Sequence, residues 1–275
     1  MNGTPEWVPT WTAEQVRRNE APLLDRGLPL MLWAAAGLAS VIADELVEPG
    51  VTARKNDLAY QSAGMSPLMG RILVVAGRGD NGGDALYAAA ALQQWIAVRG
   101  IPGDDLSFDI LLTGDSAHAQ ALATAEAGGA KRVSLEEAVA LASEGAYDLI
   151  LDGILGIGTS ADPALRGGAR AVVEALLPAV RAGMSRVIAV DLPSGLHPDT
   201  GATSDGVVLP ASVTVTFGGV KTGLARDRGK KLAGAVVWVD LGLAFDEAPD
   251  SAAPIAYAFD GSRGTDSDEG DQPTA

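Results

Sequence analysis

Six short apolar runs, rich in β-branched residues, recur along the chain: Ile72 to Ala76, Phe108 to Leu112, Leu149 to Leu151, Val187 to Val190, Val213 to Phe217 and Val236 to Val239. Their length and lack of polar alternation suit strands buried on both faces. Ala-rich stretches of helical length lie among them, over Asp84 to Arg99, Ser116 to Ala127, Leu135 to Ser143 and Gly168 to Ala182. Strands that alternate with helices need right-handed crossovers, so the pattern predicts an α/β fold with a mainly parallel sheet covered by helices on both faces. Val213 to Phe217 and Val236 to Val239 have little helix between them and are expected to extend or cap an edge of the sheet.

Two helices are predicted ahead of the first run. Thr12 is a suitable N-cap for a segment reaching Asp25, and Leu30 to Val47 follows the break at Gly27 and Pro29. The uncharged run Leu28 to Ala43 covers only 16 residues and contains Pro29 and Gly37. That is short for a membrane span and reads as a helix facing the core. From Asp246 periodicity disappears while Ser, Gly, Asp and Pro increase. A single domain over residues 1–245 and an acidic, largely disordered tail over 246–275 are therefore expected.

Composition narrows the classes of function. With 275 residues and 47% apolar content the chain can bury a sizeable core. The formal charge is −15, but residues 246–275 hold eight acids against Arg263 alone, so the body is only moderately acidic. No Lys/Arg run is present to neutralise a phosphate backbone or an anionic lipid surface, so neither nucleic acid nor membrane is an expected partner. Cys is absent, which excludes disulfides, thiolate metal sites and Cys nucleophiles. The opening residues MNGTPEWVPTWTAEQ lack a cationic stretch followed by an apolar one, so no secretory signal is read there and a cytoplasmic protein is expected.

The unusual residues cluster where strands end, which is where open parallel sheets bind ligands. Ile72 to Ala76 runs into Gly77-Arg78-Gly79-Asp80-Asn81-Gly82-Gly83-Asp84 and then a helix. Glycines allow tight turns and close backbone approach, and a helix N-terminus attracts phosphate. Gly77, Gly79 and Gly82 satisfy the dinucleotide fingerprint, but the strand Phe108 to Leu112 ends in Thr113-Gly114 without the ribose-binding acid, which argues against an ordinary nicotinamide dehydrogenase.

Two further strand ends are Asp152-Gly-Ile-Leu-Gly156-Ile-Gly158-Thr159-Ser160 and Val190-Asp191-Leu-Pro193-Ser194-Gly195. Each Asp could instead cap a local turn. Asn81, Asp152 and Ser194 offer hard oxygen ligands, a set suited to an alkali or alkaline-earth cation rather than zinc. Lys221, in Phe217-Gly218-Gly219-Val-Lys221-Thr-Gly223, is a cation fit to meet phosphate or hold a loop, with a solvated surface lysine as its other reading. His118 and His197 are the only histidines and no Gly-x-Ser-x-Gly elbow is present, so a hydrolase triad has no support.

The motifs GRGDNGGDA, DGILGIG, VDLPSGLHPDTG and TFGGVKTGL, in that order behind the TAEQ-to-AAAG helices, resemble the NAD(P)H-hydrate epimerase family, or YjeF N-terminal domain family, from about Thr12 to Leu243. The resemblance implies a Rossmann-like three-layer α/β/α sandwich, a homodimer and one potassium ion per subunit. It implies hydrated NADH or NADPH as substrate and interconversion of its R and S epimers. Asn81, Asp152 and Ser194 match the potassium ligands. Asp80, Asn81, Gly82, Gly83, Asp84, Gly156, Ile157, Gly158, Thr159, Ser160, Ala161, Asp162 and Asp191 match the nucleotide-binding positions, with Lys221 added to them as the phosphate-seeking cation. A separate ADP/ATP-dependent dehydratase is the implied functional partner, since the chain is expected to be too short to include one.

Where the family usually has Asn-Asn-Gly-Gly-Asp-Gly, this chain has Asp80 and Ala85 at the first and last positions. The reacting carbon of the implied substrate carries both a hydroxyl and the ring nitrogen, so it can lose water to an iminium and regain it on the other face. Asp191 is the expected acid and base for that exchange. Asp84 is the second choice, with N-capping as its competing role. A non-catalytic nucleotide-binding or scaffolding module of the same fold is the alternative, favoured by Asp80 and Ala85.

Overall fold

Residues 6–47, 68–100, 105–158 and 162–261 are described by the computed structural model. The elements, in chain order, are β1 (Glu6–Trp11), α1 (Ala13–Asp25), α2 (Leu30–Val47), β2 (Met69–Ala76), α3 (Asp80–Arg99) and β3 (Asp105–Leu112). Then come α4 (Ala119–Ala127), β4 (Lys131–Arg132), α5 (Leu135–Ser143), β5 (Leu149–Gly153), α6 (Gly167–Arg181) and β6 (Arg186–Val190). The last are β7 (Val213–Phe217), β8 (Val220–Lys221), α7 (Gly229–Leu232), β9 (Ala235–Asp240), β10 (Ser251–Ile255) and β11 (Tyr257–Asp260).

Eight strands form one sheet in the order β11-β9-β7-β6-β5-β2-β3-β4, and every neighbouring pair in it is parallel. The apolar runs are sorted by the two-residue repeat of a strand. On β2, Ile72, Val74 and Ala76 pack into the core layer shared with α2, α3 and α4, whereas Leu73 and Val75 face the layer built with α5 and α6. Both faces are therefore dry, and the three-layer α/β/α expectation holds. Burying each such Val, Leu or Ile contributes roughly 1.5–3 kcal/mol.

Leu30–Val47 has 18 residues with mean hydropathy 1.7 and is the one helix among the described residues long and apolar enough to cross a membrane. Here it is a core helix: Leu38 and Ile42 are fully buried. A Cβ on Gly37 would come within 2.7 Å of the Val239 side chain, so the helix lies close against β9.

Three expectations are corrected. The helix after β2 starts at Asp80, not Asp84, so Asp80 to Asp84 form its first turn. Val213–Phe217 and Ala235–Asp240 are interior strands, because β11 pairs with β9 and takes the edge. The domain also runs past 245. Ala253 and Ile255 are buried where β10 pairs antiparallel with β1, and the Phe245 ring stacks on Trp11 at 4.0 Å. A short alternating segment became ordered because a partner strand from the other end of the chain receives it. Residues 262–275 of the expected tail lie outside the described residues.

Candidate active site

The chain runs outward one way from β2 through β3 to β4, then returns to β5 on the other side of β2 and proceeds through β6 and β7. The crevice between the carboxyl ends of β2 and β5 is thus a topological switch point, the place where such sheets bind ligands. Ala76 lies opposite Gly153 in the register, and the Gly77 N–H donates to the Gly153 carbonyl at 3.0 Å. At two positions the turn that follows admits no side chain. A Cβ on Gly77 would fall 2.0 Å from the Ile154 carbonyl oxygen, and one on Gly82 would fall 2.1 Å from that of Gly77. Gly79 caps α3 without a side-chain hydrogen bond, leaving the unpaired N–H groups of its first turn at the crevice.

The crevice opens into a cavity of about 500 Å³. Gly79, Asp80, Asn81 and Asp84 form one wall, and Leu155, Gly156, Ile157 and Gly158 another. Leu24, Leu30, Met31, Ala34 and Leu241 close it with apolar surface, while Asp191 and Lys221 lie at its polar end. Arg17, Glu20 and Leu24 come from α1, and sequence reasoning singled out none of them for the site. No local motif marks them: they are ordinary polar-helix residues until the tertiary fold lays α1 along the crevice.

Asp191 follows β6 with φ +67°, a left-handed conformation that costs a non-glycine residue energy and is held here by its Val215 hydrogen bond of 2.7 Å. Its Oδ1 accepts from the Lys221 ammonium at 2.5 Å and from Thr216 at 3.2 Å. Lys221 is only 1% exposed and also donates to the Phe217 carbonyl at 2.7 Å. The solvated-lysine reading is therefore wrong. With Oδ1 occupied, Oδ2 is the oxygen turned toward the loop: a Cβ on Gly156 would lie 3.2 Å from it and 3.0 Å from Asn81 Oδ1.

Asp84 stands in α3, whose N-cap is Gly79, so the capping reading is also wrong. It is ringed by protein, and its exposed part opens on the cavity. Burial first, and then the charges of Asp191, Asp80 and Glu20, push its carboxyl well above the ordinary value. Asp152 is fully buried at the end of β5. It accepts from the Ser194 hydroxyl at 2.6 Å and the Ser194 N–H at 2.8 Å, but burial outweighs those bonds and raises its pKa. No Lys or Arg pairs with Asp152 among the described residues. The Ser194 hydroxyl in turn accepts from the Leu155 N–H at 2.9 Å, tying this buried pair to the cavity loop.

Asn81 is 7% exposed, yet neither its Oδ1 nor its Nδ2 has a hydrogen-bond partner among the described residues. Gly82 and Gly83 are buried in the turn. Thr159, Ser160 and Ala161 lie outside the described residues. Asp162 is exposed and bonded to Ser204 and to Arg166 at 2.7 Å, apart from the residues that line the cavity.

Residues 27–223 match the family described as YjeF-related protein N-terminus. The chain is 48% identical over 239 residues to an NAD(P)H-hydrate epimerase of Microbacterium testaceum, covering 86% of this chain and 80% of that one. It is 41% identical over 263 residues to another of Clavibacter sepedonicus, covering 94% and 99%. It is 38% identical to a bifunctional NAD(P)H-hydrate repair enzyme of Mycobacterium tuberculosis, where it covers 85% of this chain but 41% of the relative. The crystal structure of the yeast protein YNL200c superposes with a TM-score of 0.62 at 18% identity, covering 82% of this chain and 86% of that one, which shows the shared fold.

Proposed function

The chain belongs to the YjeF-related N-terminal family, and on that premise we propose that it is an NAD(P)H-hydrate epimerase interconverting the R and S forms of hydrated NADH or NADPH. The observation that carries the reading is Asp191. One carboxylate oxygen is fixed by a buried lysine, and the other is turned into the cavity at the switch point of the sheet. In its acid form, with the proton passed along the Lys221 hydrogen bond, a carboxyl so placed can protonate the departing hydroxyl of the hemiaminal; the carboxylate that remains then takes a proton from the water that returns to the opposite face, which restores the starting state. The apolar wall of Leu24, Leu30, Met31 and Leu241 shelters the iminium from bulk water meanwhile.

Potassium is part of the same reading. The residues suit it: among the described residues, the buried Asn81 carbonyl oxygen has no hydrogen-bond partner and the buried Asp152 carboxylate has no cationic one. Asn81, Asp152 and Ser194 would hold the ion, which would supply positive charge against the surrounding carboxylates and help to seat the nucleotide. The reading also takes the protein as cytoplasmic and, on the family resemblance, as a homodimer. A dehydratase that consumes one epimer is its functional partner, in line with a bifunctional repair enzyme of which this chain covers 41%.

The test is to incubate the protein with either separated epimer in potassium buffer and follow epimer composition by chromatography. Equilibration well above the spontaneous rate, with no change in the nicotinamide absorbance band, is expected. Equilibration at the spontaneous rate would favour the second reading, a nucleotide-binding module. Asp80 is what favours that reading, since it adds a carboxylate to the cavity wall. Ala85 does not: it is fully buried, and its Cβ faces Gly153 rather than the cavity.

A further inference from the structure

Helix α1 precedes residue 27, where the family match begins, yet it lays Arg17, Glu20 and Leu24 along the cavity. Glu20 is half-buried there, with its Oε1 3.7 Å from where a Cβ on Gly218 would stand, next to the strand that carries Asp191's partners. It makes no hydrogen bond or ion pair with a described residue. Lys221, which also lines the cavity, is spent on Asp191 and the Phe217 carbonyl. Arg17 donates to the Ile157 carbonyl across the cavity mouth. Glu20 is therefore an acceptor at the reactive end of the cavity with nothing among the described residues to accept from. Burial, opposed by Lys221, raises its pKa from the ordinary carboxylate value, as expected of a group short of partners.

A partially desolvated acceptor is completed by a donor from the ligand. On the reading of hydrated NAD(P)H as substrate, the ring brings two donors: the hydroxyl on the reacting carbon, which belongs to Asp191, and the carboxamide N–H₂ across the ring. The geometry points to Glu20 as a positioning and specificity residue that accepts from the ring carboxamide, holding the reacting carbon against Asp191 and excluding ligands that carry a carboxylate at that position. A carboxylate there would face Glu20, Asp191 and Asp80 together, and like charges at close quarters are strongly discriminated against.

The experiment compares the reduced dinucleotide with its nicotinic-acid analogue, in which a carboxylate replaces the carboxamide. Binding of both intact compounds to the full-length protein is read by fluorescence of the reduced ring, and epimerisation of both hydrates by chromatography. The wild type should prefer the amide by at least about 100-fold in both assays. In Glu20→Gln, whose side chain can donate, the preference should fall below about 10-fold, chiefly through improved binding of the acid. Thermal unfolding checks that the variant is folded, and Glu20→Ala should also relax the preference while raising KM for the amide more than it lowers kcat. An unchanged preference in Glu20→Gln overturns the inference, whatever the epimerase assay gives. Discrimination in binding that Glu20→Gln relaxes, in a protein that epimerises neither hydrate, sustains it and removes the proposed function instead.

Discussion

Replacing Asp191 by Asn tests the centre of the site, because it removes a charge while preserving shape. Asn tolerates a left-handed backbone well, so φ +67° adds no new strain. The amide oxygen can still accept from Thr216 and the Phe217 N–H. What is lost is the counter-charge of Lys221, an ammonium that is 1% exposed. Removing one partner of a buried ion pair costs about 3–5 kcal/mol, because the other charge is left uncompensated. For a chain of this size that is a fall in Tm of roughly 6–20 °C, at roughly 2–4 °C per kcal/mol. Lys221→Met should cost a similar amount for the mirror-image reason. The double variant Asp191→Asn/Lys221→Met leaves neither member of the pair charged, and its stability should return to within about 1 kcal/mol of wild type. Its epimerisation rate should stay at least about 100-fold down, as in Asp191→Asn, because the proton-transfer group is gone. Urea unfolding of all four proteins gives the coupling energy, and epimer chromatography gives the rates. A double variant no more stable than the two singles refutes the ion-pair argument. A wild-type rate in Asp191→Asn refutes the catalytic one.

Three other perturbations have defined outcomes. Asp84→Asn should stabilise the protein by about 1–2 kcal/mol at neutral pH, as removal of a functional group held against its preference commonly does. A carboxyl raised in the folded state favours folding fully below its unfolded value, and that contribution is lost as pH rises through the folded one. The gain should therefore vanish in acid, below the ordinary carboxylate value of about 3.9; thermal melts that show an equal gain at low pH would contradict this. Gly82→Ala should lose more than about 3 kcal/mol in urea unfolding because its Cβ meets backbone, while Gly79→Ala, with open space around it, should stay within about 1 kcal/mol. Potassium at 100-fold its Kd should raise stability by about 2.7 kcal/mol over a bulky-cation buffer of equal ionic strength. Asn81→Ala should abolish that gain, and a wild type indifferent to the cation rules potassium out.

Local pattern carried the strands well, because an apolar run such as Leu149 to Leu151 can be satisfied in few ways besides burial on both faces. It failed where a distant partner decides. Gly82 and Gly83 read as loop on propensity, yet they lie inside α3, where a Cβ on Gly82 would meet the Gly77 backbone and one on Gly83 would press on the side chains of His118 and Met31. Lys221 could not be read as buried, since the carboxylate that holds it is 30 residues away in sequence. The strand Ser251–Ile255 was hidden in a polar tail because β1, at the other end of the chain, is what pairs with it.

The convergence of the motif loops follows from one pairing. Once β2 lies parallel to β5, Ala76 stands opposite Gly153 and Val75 opposite Asp152, so the Gly77–Asp84 and Asp152–Gly158 segments must leave the sheet side by side. Once β5 lies parallel to β6, Asp152 stands opposite Ala189, and the chain needs only two more residues to reach Asp191 at the same rim. The motifs record which residues are wanted at the strand ends, while strand order alone decides that those ends are neighbours. Glu20 shows the limit of reading either one: it belongs to no motif and to no strand, and it reaches the rim only because the tertiary fold brings α1 to the cavity.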